Sequence, residues 1–163
     1  MRLPVRFAVD ATLGKLGRHL RSAGFDTLCQ HQSREGDVFD TIDAARVILT
    51  RTRQFKLRFK GRPLVFIREN DPFQQMMQVV RELNLERGDV NLFSRCMECN
   101  DSLLKVDRET VTGLVPVYVW QHQHTFHMCG KCDRIYWAGS HHDRMCKRLA
   151  TIFQQKEEKA HEC

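Results

Sequence analysis

Val5-Arg6-Phe7-Ala8-Val9-Asp10-Ala11-Thr12-Leu13-Gly14-Lys15-Leu16-Gly17-Arg18-His19-Leu20-Arg21-Ser22-Ala23-Gly24 is the first patterned stretch of the chain, and its period changes at Asp10. Val5 to Val9 is a short apolar run that reads as a buried strand. From Thr12 to Ala23 the pattern is that of an amphipathic helix. Leu13, Leu16, Leu20 and Ala23 share one face at 100° per residue, while Lys15, Arg18 and Arg21 fall on the other side. Gly24 supplies the C-terminal stop.

The alternation of strand and helix continues through residues 1–84. Residues 25–30 read as a second strand and 37–46 as a short helix. A third strand, rich in β-branched residues, covers 46–50. Residues 51–60 read as a helix, 64–67 as a fourth strand, and 72–83 as a helix with Met76, Met77, Val80 and Leu83 on its apolar side. This order predicts an α/β fold: a parallel sheet flanked by helices and joined by right-handed crossovers. The polar segment 84–91, with Gly88, reads as a linker. Beyond Arg95 the segments become short and β-like, among them 115–120, and residues 145–159 read as a terminal helix. The expected division is an α/β domain over 1–85, a small β-rich module over 92–142, and a C-terminal helix with a charged tail over 143–163. The first two are each expected to have a core of their own.

The small module contains Cys96-x-x-Cys99 and Cys129-x-x-Cys132. A CxxC turn places two thiolates on one face of a tight knuckle, and two knuckles complete a tetrahedral S₄ shell for structural Zn²⁺. Gly130 is expected to relieve backbone strain in the second turn. Reduced thiols at chance spacing, or disulfides, are the other readings. A closed Cys₄ shell has no open coordination position, so this zinc holds structure and any chemistry lies elsewhere.

The chain has 163 residues and a formal net charge of +6, all of it in the first half. Residues 1–84 hold 15 Lys and Arg against 9 Asp and Glu, and the remainder holds 11 against 11. A basic surface favours a polyanion such as nucleic acid, although a soluble face has the same composition. No apolar run is long enough for a transmembrane helix and no secretory signal precedes Val5. Seven cysteines, four of them in CxxC pairs, fit metal-bound thiolates in a reducing compartment, so the expected location is cytoplasmic, with no membrane partner.

In a parallel α/β sheet, ligands bind at the carboxyl ends of the strands. Asp10 follows the first strand there, Thr50-Arg51-Thr52 closes the third and Asn70-Asp71 follows the fourth. Asp37 and Asp40 begin the short helix, as ligands facing the same crevice or as N-caps. Carboxylates gathered at one edge can hold Mg²⁺ or Mn²⁺ and support phosphodiester cleavage. Asp10 reads equally as a metal ligand and as a structural acid. Residues 51–62 hold six basic residues and no acid, with Phe55 and Phe59 interleaved. Arg51, Arg53, Lys56, Arg58 and Lys60, joined by Lys15 and Arg18, are candidate phosphate contacts. The two phenylalanines either stack bases or, at helical spacing, pack inward. Tyr136 and Trp137 suit a small ribbon core. His141 and His142 either contact RNA or are surface histidines beside a helix start.

Four motifs in order carry a resemblance over nearly the whole chain. They are residues 7–27, Arg46-Val47-Ile48-Leu49-Thr50-Arg51, Ser94-Arg95-Cys96-Met97-Glu98-Cys99-Asn100 and Tyr136-Trp137-Ala138-Gly139-Ser140-His141. Together they resemble the Mut-seven C-terminal RNase family, a PIN-like ribonuclease domain followed by a zinc ribbon. The resemblance implies a metal-dependent ribonuclease, with Asp10 as first metal-site carboxylate and Asp37 or Asp40 as second. It also implies a departure: the family's Thr-Arg-Asp is Thr50-Arg51-Thr52 here, with Asp71 as an acid that could compensate. Three functions follow as expectations. The first is a Mg²⁺- or Mn²⁺-dependent ribonuclease acting on structured RNA such as tRNA or rRNA. The second is an RNA-binding protein with a degenerate metal site, and the third a zinc-stabilised protein-interaction module.

Overall fold

The structure, a computed structural model, describes residues 4–30 and 38–161, with the backbone alone at 141 and 155–161. Strands β1 (Phe7–Val9), β2 (Thr27–Cys29), β3 (Val47–Thr50) and β4 (Leu64–Phe66) form a parallel sheet in the order β2-β1-β3-β4. Every residue of β1 and β3 is buried, as expected of central strands covered on both faces. Successive side chains leave a strand on opposite sides, so the sheet feeds two apolar clusters. Phe7, Val9, Val47, Leu49 and Val65 join the larger one, while Ala8 and Ile48 join a smaller one with Phe39 and Phe59.

The helices α1 (Gly14–Ser22), α2 (Val38–Thr41), α3 (Arg53–Arg58) and α4 (Pro72–Glu82) connect and cover these strands. α1 starts later than its apolar pattern predicts, because Asp10 first caps a 3₁₀ turn over Ala11–Leu13. Its C-terminus closes with two bonds, Gly24 N–H to the Arg21 carbonyl (2.9 Å) and Phe25 N–H to the Leu20 carbonyl (3.0 Å). Gly24 adopts the left-handed φ of 96° that this ending requires. α1 lies close on the sheet at Gly17, where a β-carbon would come 2.6 Å from Cys29 Sγ.

Arg21 departs from expectation. It lies on the charged side of α1 by periodicity, yet only 2% of it is exposed. The reason is the small module, which packs against that side of the helix.

That module is a three-stranded antiparallel sheet, β5 (Leu103–Val106), β6 (Phe126–Cys129) and β7 (Ile135–Trp137), over a core of Val111, Val115 and Phe126. Residues 115–120, predicted as β-like, instead lead into α5 (Val117–His122). Alternating valines suggest a strand, but only Val115, Val119 and Trp120 turn inward, while Val117 and Tyr118 are about 70% exposed. That spacing is helical, and the Trp120 N–H closes onto the Pro116 carbonyl at 3.0 Å. α6 (Ser140–His161) begins five residues before the predicted start at Met145. Met145, Leu149, Ile152 and Phe153 carry it into the larger core of the parallel sheet, beside α4.

Candidate active site and metal centre

β2 and β3 lie on opposite sides of β1, so the chain diverges at the carboxyl ends of β1 and β3 and leaves a crevice there. Asp10 follows β1 directly at this end of the sheet, 2% exposed. Its Oδ1 accepts the Thr12 N–H (2.9 Å) and the Thr12 hydroxyl (2.5 Å). Its Oδ2 accepts the Thr50 hydroxyl (2.6 Å), the Arg51 N–H (2.9 Å) and, at 3.4 Å, the Thr52 hydroxyl. Five donors saturate both oxygens, which answers the cost of burying a carboxylate. Thr12 and Thr50 are the partners that sequence reasoning missed. The usable mark was Asp-x-Thr after a strand, a capping pattern.

Two of the other predicted acids, Asp40 and Asp71, are engaged away from Asp10. Asp40 is exposed on α2 and pairs with Arg58. Asp71 caps α4, accepting the Phe73 N–H (2.9 Å) and Gln74 N–H (3.1 Å). Asp37 lies outside the described residues. Among the described residues, then, Asp10 has both oxygens occupied, and Thr52 stands where the resemblance implies a third acid. Mg²⁺ and Mn²⁺ take several oxygen ligands with anionic character, and of the predicted acids the described residues place Asp10 at this position.

Of the predicted phosphate contacts, Lys15, Arg51 and Arg53 are exposed on segments that leave the crevice edge. The Arg51 guanidinium donates to Asn70 Oδ1 at 2.5 Å. Lys56 and Arg58 lie on α3 and Lys60 in the turn just past it, all exposed. Lys56 lies 4.2 Å above the Phe66 ring, and Arg18 pairs with Glu98 at 3.1 Å. Phe55 packs edge to face with both Phe39 and Phe59, and Phe59 meets Phe39 at a tilt of 41°, so the inward reading of these two aromatics holds. His142 stacks on Phe93, ring centres 4.3 Å apart. The side chain of His141 lies outside the described residues.

The four cysteines do converge. The Sγ atoms of Cys96, Cys99, Cys129 and Cys132 all lie within 4.8 Å of one another. Three separations are 3.6 Å (Cys96–Cys132), 3.3 Å (Cys99–Cys129) and 3.7 Å (Cys99–Cys132). Tetrahedral Zn²⁺ with bonds of ~2.3 Å has sulfur–sulfur edges of roughly 3.8 Å, whereas a disulfide bond is ~2.05 Å. The set fits zinc. Gly130 does not take a left-handed conformation. Each knuckle turns instead on the residue after its second cysteine, Asn100 (φ 67°) and Asp133 (φ 56°), the side-chain types that tolerate this region best.

The thiols show why a cation belongs there. Burial pushes Cys96 up, but the Cys99 N–H, the Tyr136 hydroxyl (3.1 Å away) and the Glu98 N–H more than offset it and bring it down to about 7. Cys99 is pushed up to about 12 by burial and by the crowded neighbouring thiols, against the Asp101 N–H. The Cys96 thiolate forms readily, while Cys99 and Cys132 resist. A divalent metal removes that conflict.

The first knuckle is also tied to the parallel sheet. Arg21 donates to the carbonyls of Thr27 (2.8 Å), Met97 (3.0 Å) and Glu98 (2.7 Å). Asn100 accepts the Thr27 N–H (2.9 Å) and donates to Asp26 (2.7 Å), which Arg46 grips with both nitrogens. Neither Arg21 nor Asn100 is a site residue by sequence reasoning, since a helix period does not reveal which face a later segment covers.

No helix among the described residues is long and apolar enough to cross a membrane. Comparison with curated proteins finds no match, and no solved structure matches either. Residues 5–149, from the strand before Asp10 through both knuckles into α6, match the model of the Mut7-C RNAse domain, and the chain belongs to that family.

Proposed function

We propose that this member of a ribonuclease family acts principally by binding RNA, with a cleavage centre reduced by the loss of an acid. The observation that carries the reading is Asp10. Its two oxygens are occupied by Thr12, Thr50, Thr52 and Arg51, and Thr52 stands where the family resemblance implies a metal-binding acid. The exposed cations on α3 and at the crevice rim supply phosphate contacts, which position RNA without reading its sequence. Structured RNA, such as tRNA or rRNA, is the expected partner class.

A second reading, an active Mg²⁺- or Mn²⁺-dependent ribonuclease, is favoured by the position of Asp10 at the crevice where β1 and β3 diverge. One experiment separates the two. Wild type, Asp10→Asn and Thr52→Asp, matched for zinc content and folded fraction, are incubated with structured RNA in Mn²⁺ and in EDTA, and binding is measured across a salt series. The proposal expects binding by all three, little cleavage by wild type, and increased cleavage by Thr52→Asp. Replacing Arg51 and Arg53 with alanine should flatten the salt slope by roughly one unit per lost phosphate contact. Efficient wild-type cleavage that Asp10→Asn abolishes establishes the second reading. Absence of RNA binding defeats both and points to a protein-interaction module.

A further inference from the structure

The aromatic rings of α3 are spent on packing, so a base must meet its stacking surface elsewhere. The described residues form such a surface on the small module that carries the four cysteines. A cavity of about 820 Å³ lies between the antiparallel sheet, residues 91–94 and the first turn of α6, lined among others by Phe93, Leu103, His127, Tyr136, Trp137 and His142. We infer that this cavity receives an unpaired nucleobase of a bound RNA strand, an inference that rests on the RNA-binding reading above.

Strand register builds the floor. Lys105 pairs with His127 across β5 and β6, and His127 with Tyr136 across β6 and β7. Residues paired in this way project from the same face, so an exposed cation, an imidazole and a phenol form one row. The two rings line the cavity, and the ammonium extends the row at the sheet's outer strand. That order matches a nucleotide, whose flat base stacks on rings and whose phosphate requires a cation beside them. No arginine or lysine lines the cavity itself, which disfavours an acidic peptide along its length.

The walls are held in place. Phe93 takes a left-handed φ of 53°, unusual for so bulky a residue, fixed by its N–H donating to the Ser22 carbonyl at 2.8 Å. This strain aims its ring at His142, stacked at 4.3 Å and 27°, and a base can continue that stack. Tyr136 is oriented from behind: its oxygen accepts the Met97 N–H at 3.2 Å and lies 3.1 Å from Cys96 Sγ. The zinc knuckle therefore sets one ring of the floor. The ring edges, with Thr125, Ser94 and Ser140, offer polar atoms to the base edge.

Trp137 lines the cavity and Trp120 does not, so Trp120→Phe gives a protein whose single tryptophan reports the site. Zinc-loaded full-length protein is titrated with single-stranded oligouridylate and oligoadenylate of about ten nucleotides, and with a duplex of the same length. Quenching of Trp137 by the single strands and not by the duplex is expected. His127→Ala should weaken single-strand binding roughly ten-fold, as loss of one stacking partner does, with duplex binding unchanged. If Trp120→Phe proves unstable, a thiouridine-containing strand cross-linked to wild type should map to Phe93, His127 or Trp137. RNA binding with unquenched Trp137, a neutral His127→Ala and cross-links elsewhere overturns the cavity while leaving the RNA-binding reading intact. Failure to bind any RNA removes that reading and this one together. Quenching by an acidic peptide but not by RNA overturns the assignment of the occupant.

Discussion

Asp26 shows what one half-buried polar residue does in this protein. Burial alone would raise its pKa, but the paired bonds from Arg46 and the bond from Asn100 outweigh burial and lower it. A carboxylate with a lowered folded-state pKa contributes stability that is present above its unfolded value of ~3.9. That contribution is lost as pH falls through the lower, folded value. The expected outcome is an acid-unfolding curve for wild type that steepens below about pH 4, and a shallower curve for Asp26→Asn. Denaturant midpoints across an acidic pH series check this, and parallel curves would show that Asp26 does not link acid to unfolding. The same residue explains Arg46, which is 8% exposed and also donates to the Phe7 carbonyl at 3.0 Å. The motif around β3 thus begins with a structural arginine, whereas its end, Thr50 to Thr52, serves Asp10.

At the scale of the element, the turn after α1 controls more than the helix end. Residues 91–93 cross directly over it: Asn91 N–H donates to the Ala23 carbonyl (3.0 Å) and Phe93 N–H to the Ser22 carbonyl (2.8 Å). A β-carbon on Gly24 would lie 2.1 Å from the Asn91 carbonyl oxygen. Gly24→Ala therefore combines left-handed strain of ~1–2 kcal/mol with a backbone collision. A loss of at least about 2 kcal/mol in unfolding free energy is expected, measured by denaturant titration. Phe93 should lose its orientation along with the linker. An unchanged midpoint would mean that the crossing segment shifts at no cost. α5 makes a separate point about elements: alternating valines near Pro116 mimic a strand, and only the surface they meet selects the helix.

The described residues form one network with the four clustered cysteines in the middle. The antiparallel sheet has its own core, yet Arg21 and Asn100 fasten the first knuckle to α1 and β2, and α6 returns from the second sheet to pack beside α4. Removing the metal, by chelation or by Cys129→Ser, should therefore destabilise the parallel sheet as well. A loss of ~3 kcal/mol in a chain of this size lowers the melting midpoint by roughly 10 °C. Calorimetry with and without chelator should show the entire transition moving down. A two-step melt with an unmoved upper transition would mean that the parallel sheet stands alone. Arg21→Met should have a related effect, because it leaves three carbonyls without their donor and frees the knuckle.

The alternation of strands and helices, the zinc quartet and the position of Asp10 were legible in the sequence, because each depends on neighbours along the chain. Apolar periods mark β1, α1 and α4, CxxC spacing makes a knuckle by itself, and a carboxylate that follows a buried strand must stand at the sheet edge. Contacts between distant segments were not legible. Whether Arg21 faces water, whether the acids near α2 and α4 join Asp10, and which faces of β5 to β7 enclose a cavity depend on which surfaces meet. A local pattern carries no record of that. An arginine on the polar side of a helix has the same period whether solvent or a knuckle covers it, and only tertiary packing converts its charge from a solvated group into a buried clamp.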